Sequence, residues 1–111
     1  MPILAYAVPI PPGKTEALLQ HLTEAAERED LDETFKGFGI SGETWHLQET
    51  PQGELLVLVF DADDPLSMLK AFSESQEDLP VWQRQCLKDI LGVDLSEPPP
   101  GPPSRLIFEW P

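Results

Sequence analysis

The stretch G42-ETWHLQETPQGELLVLVFDADD-P65 decides how this chain is read. Residues 42–49 alternate, with Glu43, Trp45, Leu47 and Glu49 on one side and Thr44, His46 and Gln48 on the other, as expected of a strand. Pro51, Gln52 and Gly53 make a turn. Leu55 to Phe60 then form a partner strand that is apolar on both sides, with Leu56, Leu58 and Phe60 against Leu55, Val57 and Val59. A strand of that kind needs cover on both faces. The chain's own helices supply one cover, and a short chain has little left for the second. The expectation is a homodimer that packs through the sheet face.

The 111 residues are one domain's worth of chain, able to bury roughly 60–68% of their unfolded surface. Hydrophobic residues make up 41%, which argues against wholesale disorder. No apolar run approaches the ~20 residues of a membrane span, so no membrane partner is expected. The first residues lack a basic segment leading into an apolar one, so no secretory signal is expected. Cys86 is the single cysteine, which excludes an internal disulfide and fits a reducing, cytoplasmic setting. His21 and His46 have no ligand spacing, and no metal site or cofactor is expected. Twenty acidic and seven basic residues give a formal charge of −13, which repels phosphate and excludes nucleic acid as a partner.

Outward from the central hairpin, residues 3–8 (ILAYAV) read as a buried strand stopped by Pro9, Pro11 and Pro12. A helix follows from about Gly13, with Leu18, Leu22 and Ala25 or Ala26 as its apolar stripe, and with an acidic run at Glu27–Glu33 that frays or bends it before Phe35. Residues 35–40 (FKGFGI) form a turn over Phe35 and Phe38. Asp63 or Asp64 caps a further helix with Pro65 in its first turn. The carboxylates Asp61, Asp63 and Asp64 are better read as that cap than as a cation site. Leu66, Leu69 and Phe72 form its apolar side. After SESQEDLP a second piece runs from about Pro80 to Leu91, with Trp82, Cys86, Leu87, Ile90 and Leu91 as its stripe, Gln83 polar, and Gly92 as its stop. Cys86 reads as an inert buried thiol, and Arg84 as a side chain that snorkels or pairs with a carboxylate. The EPPPGPP stretch is expected to run extended over roughly 22 Å, with 97–104 as a proline-rich connection to a closing strand, RLIFEW, at 105–110.

The resulting order β-α-β-β-α-β predicts an α+β, ferredoxin-like single domain over residues 1–111, with a four-stranded antiparallel sheet and its helices on one face. In this order of elements, in WHLQETPQGELLVLVFDADDP and in VWQRQCLKDILGVDL, the chain resembles a small branch of the dimeric α+β barrel superfamily. The resemblance implies two sheets packed face to face and a ligand cleft between sheet and helices. It also implies activities such as cofactor-independent monooxygenases and isomerases. The haem-degrading members rely on an Asn, Trp and His set, and this chain has no Asn.

His46 is the candidate catalytic residue, a general base if it faces a cavity flanked by Thr44 and Gln48. Tyr6, Trp45, Phe72 and Trp82 are the candidate ligand-binding residues of an apolar cleft. Trp45 and His46 are strand neighbours and so must face opposite sides. The leading functional expectation is a dimer that binds a small apolar molecule between sheet and helices. The alternatives are a cofactor-independent monooxygenase or isomerase using His46, and a structural or interaction dimer without a ligand.

Overall fold

The computed structural model describes residues 3–94 and 104–111. Its elements run β1 (Ile3–Pro9), α1 (Thr15–Ala26), α2 (Leu31–Gly37), β2 (Ile40–Thr50), β3 (Gly53–Ala62), α3 (Pro65–Glu74) and α4 (Asp78–Leu91). The protein is α+β, with four helices and a three-stranded antiparallel sheet among the described residues.

The sheet order is β1-β3-β2, so the apolar β3 lies in the middle and pairs on both sides. The β2–β3 hairpin closes at Thr50↔Gly53. The Thr50 hydroxyl donates to the Gly53 carbonyl at 2.7 Å and accepts from the Gln52 N–H at 3.2 Å. Gly53 has φ 127°, a value that side-chain-bearing residues rarely adopt.

Register sorts the side chains onto two faces. Tyr6, Leu58 and Trp45 form one cross-strand row, and Val8, Leu56 and Leu47 the next. Leu56, Leu58 and Phe60 are buried in a core with Leu18 of α1, Met68 of α3, and Leu87 and Leu91 of α4. Phe35 and Phe38, at the end of α2, pack on the same core. The opposite face carries Ala5, Ala7, Val57, Val59, Thr44 and His46. Val57 and Val59 are only half-buried there, and Ala7, Thr44, His46 and Gln48 are exposed. The helices thus cover one face of the sheet, because the chain's apolar helix stripes suffice for one layer.

The helix expected from about Gly13, fraying or bending in its acidic run before Phe35, is broken into two helices. Residues 27–30 interrupt it, and Arg28 grips Asp30 with two hydrogen bonds of 2.9 Å each. Asp64 caps α3, its two carboxylate oxygens accepting from the N–H and the hydroxyl of Ser67 at 3.2 and 2.8 Å. Gly92 ends α4 in the left-handed region at φ 72°.

The expected closing strand at 105–110 is not present. The segment carries no strand pairing, and Leu106, Ile107, Phe108 and Trp110 are 60–84% exposed. Alternation supplies the side-chain period of a strand, but a strand forms only when its backbone groups find a ladder, and this segment has none among the described residues. The four-stranded sheet is therefore corrected to three strands among the described residues. The proline-rich connection, 97–104, lies outside the described residues except for Ser104.

Candidate functional site

The chemically distinctive feature of the covered face is a buried carboxyl group. Glu43 alternates with Trp45 on β2, so both turn toward the helices. Glu43 Oε1 accepts a hydrogen bond from Trp45 Nε1–H at 2.7 Å, while Oε2 is buried without a hydrogen-bond partner. Burial removes the water that would stabilise the anion and pushes the Glu43 carboxyl up to about 7, against the smaller pull of the Trp45 hydrogen bond. Across the sheet, Tyr6 stacks on Phe60 at 5.8 Å. Burial first, and the Glu43 charge second, raise the Tyr6 hydroxyl to about 12. The arrangement is an acid–base group poised near neutrality beside an indole donor and a phenol that keeps its proton.

The space available is small. The cavity lined by Tyr6, Val8, Leu56, Leu58, Leu87, Leu91 and Val93 measures about 20 Å³, room for one water-sized body. A larger, open groove of about 500 Å³ lies elsewhere, between Ile3 and Leu4 of β1, Asp64–Leu66 at the start of α3, and Ser104, Leu106 and Glu109.

The residues picked from sequence fall into separate places. Tyr6 and Trp45 share the covered face and the row through Leu58. Phe72 lies instead against Phe38 at 5.3 Å and Phe35 at 6.5 Å. Trp82 lies on the α1–α4 seam, where it meets the His21 ring at 4.6 Å and the Arg28 guanidinium at 4.7 Å. His46 is on the uncovered face, exposed, with Nε2 3.0 Å from the Thr44 hydroxyl. Neighbouring Trp45 points the other way, since the only register shift in β2 is at Ile40/Gly42.

Besides Glu43, two polar residues, His21 and Gln83, were missed by sequence reasoning. His21 has only 3% of its surface exposed and lies 2.6 Å from Gln83 Oε1 through Nε2, which therefore carries the proton and donates. Its Nδ1 is buried without a partner. Desolvation lowers the His21 pKa, against the Gln83 hydrogen bond. The signal was present: His21 follows Leu18 by three, and Gln83 stands four residues from both Leu79 and Leu87, which are buried. Gln83 is thus corrected from a polar-face residue to a buried one. Arg84 donates to the Phe72 carbonyl at 2.8 Å. Cys86 is half-buried, and desolvation raises its pKa. Among the described residues, no three His, Cys, Asp or Glu side chains converge as a metal site. No described helix is long and apolar enough to cross a membrane.

No protein-family model, no curated protein and no solved structure matches the chain.

Proposed function

We propose that this chain functions as a self-associating ferredoxin-like domain of the dimeric α+β barrel type, two copies meeting through their uncovered sheet faces. The observation that carries the reading is that face: Val57 and Val59, flanked by Ala5 and Ala7, form an apolar strip on the side opposite every packed helix. The strip and its border of Thr44, His46 and Gln48 carry no carboxylate, on a chain of charge −13, and Asp61 lies on the same face only at its far end, opposite Ile3 and Gly42. A second copy that centres on Val57 and Val59 therefore meets no like charge at the middle of the seam. The order β1-β3-β2 is that of a ferredoxin-like sheet lacking its last strand. In this reading His46 is a seam residue, with Thr44 as its hydrogen-bond partner, rather than a catalytic base.

Multi-angle light scattering at tens of micromolar tests it. The expected particle has twice the 12.4 kDa chain mass. Thr44→Asp, at an exposed position, and Val57→Asp should each return one chain mass with unchanged far-UV circular dichroism. A wild-type particle of one chain mass refutes the proposal, as does a dimer indifferent to both variants.

A second reading is favoured by Glu43. Its unpartnered oxygen beside Trp45 suits a small, mainly apolar ligand with one hydrogen-bond donor, held between sheet and helices. The cavity of about 20 Å³ on this face is lined by Tyr6 and not by Glu43 or Trp45, so such a ligand enters only as the helix layer moves. Proton transfer at that ligand would fall to Glu43. Quenching of Trp45 fluorescence by such ligands, lost in Glu43→Leu, is the corresponding test.

A further inference from the structure

The C-terminal segment is the least accounted-for part of the molecule. Residues 105–110 keep the period-two pattern of a strand, yet Leu106 is 60%, Ile107 84%, Phe108 80% and Trp110 83% exposed. Contiguous apolar exposure on this scale marks a binding surface. In its own chain the segment reaches the groove beside Ile3 and Leu4 but forms no ladder there and leaves its large side chains in water. The complementary feature is β1, which pairs with β3 on one side and has a free outer edge among the described residues. A free edge presents unpaired N–H and C=O groups to any extended segment.

We infer that residues 105–110 of one copy add as a strand to the free β1 edge of a second copy, so that the two chains exchange arms. The inference rests on the self-association proposed above and adds a second, reciprocal contact to it. Charge favours this pairing. Residues 3–9 hold no charged side chain, and the arm's Arg105 and Glu109 cancel, whereas the chain as a whole carries −13. The other free edge, β2, carries the exposed Glu49 instead. Area favours it as well. At about 150–250 Å² per aromatic side chain, Phe108 and Trp110 offer roughly 250–400 Å² per arm, a large part of the ~800 Å² each partner contributes to a stable interface. Strand addition supplies main-chain hydrogen bonds for affinity, and the alternating side chains supply specificity.

The test uses the full chain with p-benzoylphenylalanine replacing Phe108. Equal amounts of unlabelled and ¹⁵N-labelled protein are refolded together and irradiated, and joined tryptic peptides are identified by mass. Exchange predicts that the C-terminal peptide is joined to the β1 peptide in mixed-isotope pairs. Pairs of one isotope only would place the arm on its own chain and overturn the inference. Absence of any joint to β1 in a particle of two chain masses would overturn it too. Both outcomes leave the sheet-face dimer standing, whereas a particle of one chain mass removes both. Ile107→Asp and Phe108→Asp, at exposed positions, should raise the dimer dissociation constant about tenfold or more without changing the circular dichroism. An unchanged constant also counts against exchange.

Discussion

Glu43→Gln isolates the energetic consequence of burying a carboxyl group under the helix layer. In the folded protein the group titrates at about 7, against an ordinary 4.5. Between those values the folded state holds a proton that the unfolded chain has released. Stability therefore falls as pH rises from about 4.5, and the loss is complete above about 7. At about 1.4 kcal/mol per tenfold, the full gap corresponds to about 3 kcal/mol. Glutamine keeps an oxygen for Trp45 Nε1–H and has no charge to bury. The difference in unfolding free energy between variant and wild type should therefore grow by about 2–3 kcal/mol from pH 5 to pH 8.5. Urea melts at fixed protein concentration read this as a midpoint difference that widens by about 1 M or more. His21 contributes the opposite slope in both proteins. Its folded pKa lies below 6.5, so its contribution is complete above 6.5 and is lost as pH falls below that. Tyr6, raised to about 12, stays protonated throughout. A difference that does not change with pH would refute the placement of the Glu43 carboxyl in a dry site.

Two further substitutions probe the packing. Leu58→Ala empties the centre of the cross-strand row between Tyr6 and Trp45 and should cost about 2–5 kcal/mol in chemical denaturation. Gln83→Leu leaves the His21 Nε2–H buried without its acceptor and should cost about 1–3 kcal/mol, whereas the double replacement His21→Leu with Gln83→Leu should recover much of that loss in a double-mutant cycle.

Much of the architecture was legible because it follows from local rules. The hairpin turn at Pro51–Gly53, the Asp64 cap with Pro65 behind it, the Gly92 stop and the central place of Leu55–Phe60 each follow from a residue's own stereochemistry or from a period-two run. The closing strand was misread for the complementary reason. Alternation in RLIFEW describes a strand's side chains, but whether a ladder exists depends on an edge elsewhere. The candidate site was only half legible. Tyr6 and Trp45 were found by their size and share the covered face, while Phe72 and Trp82 belong to other clusters. Glu43 and Gln83 were passed over because a polar residue on an apolar period reads as an exposed one until its neighbours are known.

By itself the chain of residues determined that Trp45 and His46 face opposite ways, since neighbouring side chains on a strand must diverge. Only the tertiary structure decided which of them meets the helices. Both faces of β3 are apolar, so neither choice was preferred locally. The direction was settled by which face α1, α3 and α4 cover, and with it came the burial of the Glu43 carboxyl and the exposure of His46. Burial belongs to the packed assembly of elements and not to any one of them, because it depends on where the other layers exclude water.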